Sequence, residues 1–109
     1  MMSKTLKLTE ENFSQQVLQS KVPVLVDFWS QSCGPCRQLA PVLDDLAEEY
    51  DGYAVIGKVN VAETPDLGAQ FGIDMLPTLL LFHRGNVVER MSGMQTKEKL
   101  QDVLDEIDN

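Results

Sequence analysis

Cys33 and Cys36 are the only cysteines of the chain, and Gly34 and Pro35 separate them. They stand where an apolar run, Val22 to Trp29, passes through Ser30-Gln31-Ser32 into an amphipathic helical pattern. The first N–H groups of a helix have no partner within it, and the macrodipole favours negative charge there. A sulfur at that point is stabilised as thiolate, the nucleophilic form of cysteine. With Cys33 near the N-cap, Pro35 falls at the second helical position, where its missing N–H is tolerated. The N–H of Cys36 is then the natural donor to the Cys33 sulfur. Gly34 lets the backbone pass close to a partner. Cys36 stays within one turn of Cys33, where it can close a disulfide.

Two other uses of such a pair fit less well. A zinc site needs three or four ligands, and the rest of the chain offers one His and no further Cys. A bridge across two residues hardly constrains the unfolded chain, so it makes a poor structural staple. Thiol–disulfide exchange is the expected chemistry, with no metal.

Phe28-Trp29, three residues, then Cys33-Gly34-Pro35-Cys36 with Pro41 beyond, closely resembles the thioredoxin family, and the likeness covers essentially the whole chain. The resemblance implies a thioredoxin fold: an α/β domain over residues 1–109 with a central mixed five-stranded sheet flanked by four helices. It also implies a protein dithiol–disulfide oxidoreductase that works as a monomer, with Cys33 as nucleophile and Cys36 as resolving thiol. The expected partners are disulfide-containing proteins and a flavin-dependent thioredoxin reductase. No bound cofactor is implied.

The bulk properties agree with a single globular domain. At 109 residues and 43% hydrophobic content the chain can build a core without staples. No apolar run approaches the roughly 20 residues that span a bilayer. Met1-Met2-Ser3-Lys4-Thr5-Leu6 lacks the apolar stretch of a signal peptide, so a cytoplasmic protein is expected. The net charge of −8 argues against nucleic acid or an anionic membrane as partner. Much of the acidity lies in Asp44, Asp45, Glu48, Glu49 and Asp51 and in Asp102, Asp105, Glu106 and Asp108, which read as solvated helix faces.

The pattern of elements is β-α-β-α-β-α-β-β-α. Leu6 and Leu8 mark a short first strand. Thr9 and Asn12 are both possible caps of a helix running to about Ser20. Val22–Trp29 reads as a central strand covered on both faces. The helix from the cysteines to about Tyr50 carries Leu39, Leu43, Leu46 and Tyr50 at core spacing and is expected to kink at Pro41. Ala54–Val61 is a strand, and a strand–helix–strand order implies a right-handed parallel crossover. Glu63-Thr64-Pro65 opens a short helix closed by Gly72. Thr78–Phe82 and Val87–Met91 flank a hairpin turn at Arg84-Gly85-Asn86. Gly93 breaks the last strand, and Thr96 caps a helix that turns Leu100, Val103, Leu104 and Ile107 inward.

Asp27 is the lone acid in its apolar strand. It either reaches water at the strand end or is desolvated with a raised pKa. The resemblance favours the second reading and implies proton transfer with Cys36. Lys58 alone reads as an exposed strand lysine with a snorkelling stem; the resemblance sets it near Asp27. Trp29 is expected to pack under the active-site turn. An X-Pro bond is cis in only about 5–6% of cases, but the resemblance implies a cis Leu76–Pro77 bond in a loop facing the cysteines. The substrate surface implied comprises Ser32, Met75, Leu76, Pro77, Thr78, Gly93 and Met94. His83 has no ligand or nucleophile near it in sequence and is assigned no role.

Four positions depart from the family pattern. Ser32 replaces the usual Trp before the first cysteine, Met75 a small residue, Met94 an Ala, and Ala62 an Asp. The redox core is intact while the surface around it has changed. That leaves an alternative, a binding module with specialised partners and little turnover.

Overall fold

The computed structural model describes residues 4–107; Met1–Ser3 and Asp108, named above, lie outside the described residues. At its centre is β2 (Val24–Trp29), whose first five residues are all buried. It pairs in parallel with β3 (Val55–Asn60) and antiparallel with β4 (Thr78–His83). β1 (Leu6–Lys7) extends the parallel side and β5 (Asn86–Ser92) the antiparallel side, giving the order β1-β3-β2-β4-β5. The mixed five-stranded sheet expected of the sequence is therefore present.

Strand periodicity sorts side chains onto two faces. Leu25, Ile56, Leu79 and Leu81 join one core cluster with Leu39, Leu43 and Leu46 of α1 (Gly34–Glu49) and Leu100 of α3 (Lys97–Asp105). Val24, Val26, Phe28, Val59, Leu80 and Phe82 form the other, with Phe13, Val17 and Leu67 of α2 (Pro65–Gln70). On that second face Phe71 stands 5.4 Å from both Phe13 and Phe82. Tilted and edge-to-face aromatic contacts of this kind add to area burial. Asp27 and Lys58 share the parity of Leu25 and Ile56, so strand alternation alone turns both toward α1.

The fourth helical segment differs in kind from the one expected. Thr9 and Asn12 cap each other's backbone N–H groups, but Ser14–Leu18 is a π-helical turn, with the Gln19 N–H reaching the Ser14 carbonyl at 2.9 Å. The wider turn keeps its backbone bonded while Phe13, Val17 and Leu18 all pack on the sheet. α1 runs through Pro41 as one continuous helix. Thr96 caps α3 as expected, its hydroxyl accepting the Lys99 N–H at 3.1 Å.

The β4–β5 connection is a two-residue hairpin in which Arg84 and Gly85 both have positive φ, 54° and 81°. That is the type I′ geometry matching sheet twist, and it suits Asn-Gly or Gly-Gly far better than Arg. Arg84→Asn should therefore stabilise the fold by about 0.5–1 kcal/mol in denaturant unfolding. An unchanged or lower midpoint would show that Arg84 has a compensating role.

Candidate functional site

Cys33 is the N-cap of α1, with extended backbone (φ −91°, ψ 108°), and its sulfur accepts the Cys36 N–H at 3.2 Å. Pro35 occupies the first turn, as the spacing requires. The two cysteines are joined by a disulfide, their Cα atoms 5.3 Å apart. They differ in access: Cys33 is half-buried, whereas Cys36 is 2% exposed. The turn that delivers Cys33 is tied in three places. Its N–H bonds the Ser30 carbonyl at 3.2 Å, the Ser30 and Ser32 hydroxyls meet at 3.2 Å, and Arg37 Nη1 donates to the Gln31 carbonyl at 2.7 Å.

Beneath the pair, Asp27 is 1% exposed and its Oδ1 is buried with no partner among the described residues. Burial pushes its carboxyl up to about 7, against a smaller opposing pull from Lys58. Lys58 stands directly across the β2–β3 ladder. It is half-buried rather than exposed, with Nζ 5.2 Å from the centre of the Trp29 ring. Asp27, Lys58, Trp29 and Cys36 line one cavity of about 140 Å³, enough for several waters at roughly 30 Å³ each. A carboxyl that titrates near neutrality shares this cavity with the inner cysteine.

The remaining expected residues gather at the same end of the sheet. Phe28, near the end of β2, pairs with Thr78, the first residue of β4. The Leu76–Pro77 bond just before it is cis. Thr78 is buried, and its hydroxyl donates to the Met75 carbonyl at 2.6 Å. The Gly93 N–H bonds the Pro77 carbonyl at 2.7 Å, and Gly93 needs its positive φ of 84° to turn there. Met75 Sδ lies 3.8 Å from where a Cβ on Gly93 would sit. Met75 and Met94 are 52% and 47% exposed. Leu76 packs on the second-face core, and neither its N–H nor its carbonyl has a partner among the described residues.

Sequence reasoning missed two arginines and a serine that hold this arrangement. Arg37 and Ser30 brace the cysteine turn, as given above. Arg90 on β5 donates to the Phe71 and Gly72 carbonyls, both at 2.8 Å, fixing the segment that leads to Pro77. The position of Arg37 directly after the second cysteine was the only available signal. His83 lies at the hairpin end of β4, away from the site, half-buried with its Nε2 unpartnered.

A mixed sheet that carries a Cys-x-x-Cys pair at a helix N-terminus, over a buried titratable carboxyl, defines a dithiol–disulfide oxidoreductase. The thioredoxin family model matches residues 4–106. Thioredoxin of Alicyclobacillus acidocaldarius is 47% identical over 94% of this chain and 97% of its own length. Thioredoxin 1 of Nostoc sp. is 44% identical over 95% and 97%, and thioredoxin of Buchnera aphidicola 43% over 96% and 97%. The chain belongs to the thioredoxin family and is a disulfide-reducing oxidoreductase.

The Asp27 environment makes stability depend on pH in a defined direction. Below the ordinary carboxyl value of 3.8 both the folded and unfolded chains hold the proton. From there to about 7 the folded protein keeps it while the unfolded chain loses it, so stability falls as pH rises. At about 1.4 kcal/mol per pH unit the loss is on the order of 4 kcal/mol, and it levels off above that window. Asp27→Asn should remove this slope, so its stability advantage in urea unfolding grows between about pH 4 and 7 and is constant above. An advantage independent of pH would refute the desolvated carboxyl.

Proposed function

We propose that Cys33, as thiolate, attacks a disulfide of a partner protein, forming a mixed disulfide and releasing one substrate thiolate. Cys36 then loses its proton to the Asp27 carboxylate and attacks the Cys33 sulfur, which releases the second substrate thiolate and leaves the Cys33–Cys36 disulfide. The observation that carries this assignment is the difference in access: the accessible sulfur caps the helix, and the buried one shares the Asp27 cavity. Two electrons pass from the cysteine pair to the substrate. A flavin-containing thioredoxin reductase restores the dithiol, as the family resemblance implies, and the domain acts as a monomer in the cytoplasm. Among the described residues no helix is long and apolar enough to cross a membrane.

Lys58 stands where it can stabilise ionised Asp27, while Trp29 walls the cavity and Gly34 and Pro35 shape the cap. The partner chain lies along Leu76, whose free N–H and carbonyl can pair with an extended segment as at a sheet edge. Pro77, Thr78 and Gly93 fix that loop. Met75 and Met94 supply a flexible apolar surface, beside which Ser32 offers only a hydroxyl already engaged with Ser30. Docking, rather than tuning of the Cys33 sulfur, is therefore the part of the reaction that Ser32 alters.

With limiting alkylating agent near neutral pH, Cys33 should be modified well ahead of Cys36. Cys33→Ser should abolish disulfide reduction driven by dithiothreitol, whereas Cys36→Ser should accumulate mixed disulfides. Preferential labelling of Cys36 in a peptide map would reverse the roles.

Ser32→Trp should change rates with protein disulfides by more than about tenfold, roughly 1.4 kcal/mol, and leave the rate with a small disulfide nearly unaltered. Equal rates of both proteins with every substrate would make position 32 neutral.

A further inference from the structure

A second hollow, of about 330 Å³, opens beside the redox site and shares two of its walls, Trp29 and Lys58. Its size lies at the lower end of small-molecule pockets, roughly 300–1,000 Å³. The hydrogen-bonding groups around it are unevenly committed. Several of its polar groups are occupied: Glu63 pairs with Lys7 at 3.5 Å, Asn60 Oδ1 accepts the Ala62 N–H at 3.0 Å, and the Thr5 hydroxyl donates to Asp44 Oδ1 at 2.8 Å. Other donors remain unpaired. The Lys58 ammonium makes no hydrogen bond or ion pair with any described residue. The Trp29 indole N–H and the side-chain amides of Gln31 and Asn60 likewise have no acceptor among the described residues.

We propose that this pocket binds a small organic monoanion, a carboxylate on a flat apolar body, and that its occupancy is coupled to the protonation of Asp27. The carboxylate takes the free donors, and the apolar body covers the indole and the lysine stems. A single charge is favoured because the Lys7–Glu63 pair cancels, leaving Lys58 as the one cation lining the pocket with no ion-pair partner within contact distance among the described residues.

The coupling follows from geometry. Lys58 faces Asp27 across the strand ladder and lines both the inner cavity and the outer pocket. Two carboxylates therefore draw on one ammonium and repel each other. A bound anion favours protonated Asp27, and by linkage protonated Asp27 favours the anion by the same factor. The other groups facing this region are Arg37 and Cys36 from α1, and Lys7 and Glu63 on the outer wall. Cys36 does not titrate in the oxidised protein, so that form isolates Asp27. Binding and coupling do not depend on the catalytic roles proposed above. Their consequence does: an anion that keeps Asp27 protonated deprives Cys36 of its acceptor and prolongs the mixed disulfide.

The oxidised full chain is titrated with benzoate at constant ionic strength, with neutral benzamide in parallel, following the fluorescence of Trp29, the single tryptophan of the chain. A saturable change with benzoate and none with benzamide is expected. Asn60→Asp, checked for folding by circular dichroism, should weaken benzoate by at least about tenfold; Gln31→Glu serves the same purpose if that variant misfolds. Affinity should fall severalfold between about pH 6 and 8 in the natural protein and stay flat in Asp27→Asn. No saturable signal, an equal response to benzamide, full affinity in the acidic variant, or the same pH drift in Asp27→Asn each overturns the proposal. Coupled binding without slower release of the mixed disulfide supports the site and refutes the Asp27–Cys36 relay instead.

Discussion

The structure depends on a carboxyl kept out of water. Asp27 sits in the buried central strand of the sheet, its Oδ1 without a partner among the described residues, and burial rather than any neighbouring charge dominates its titration. A group this unfavourable to bury is ordinarily paired or absent. Here Lys58 offsets part of the penalty from the adjacent strand without contacting the carboxylate closely enough to hold it ionised. The result is an acid poised near neutrality. Stability is given up at this position as the carboxyl ionises.

Everything around the carboxyl serves to bring two sulfurs into different relations with it. The parity of β2 turns Asp27 toward α1, and the cap geometry places Cys33 at the helix mouth. One turn of helix then carries Cys36 inward to the same cavity. The cap works without a charged side chain because the Cys36 N–H points at the Cys33 sulfur. Arg37, reaching back to the Gln31 carbonyl, holds the loop that sets this direction.

The surface around Met75 and Met94 is built on a different principle. Its backbone is stiff, since Thr78, Gly93 and Arg90 tie the loops to one another and to the sheet. Its exposed side chains are soft, with Met75 and Met94 free to repack. A rigid frame with adaptable contacts suits partners that share a disulfide and little else. Beside Cys33 the Ser32 hydroxyl turns to Ser30 instead of the sulfur.

Local chemistry made much of this legible in the sequence. The Cys33-Gly34-Pro35-Cys36 spacing set the cap, the apolar run of β2 set the central strand, and the 3.6-residue period of α1 set its buried stripe. The π-helical turn at Ser14–Leu18 was not legible, because its hydrogen-bond pattern follows from packing three side chains on a finished sheet. Nor was the state of Asp27, which on the residues alone could equally have reached water. Strand alternation gave its face, but only the covering helix removed the solvent. The bracing roles of Arg37, Arg90 and Ser30 were hidden for the same reason: each acts on a carbonyl or hydroxyl whose position exists only once the chain has folded. Sequence decided which groups could react, since that is a property of residue type and spacing. Tertiary structure decided in what medium they react, since desolvation and the field of Lys58 arise from parts of the chain that meet only across the sheet.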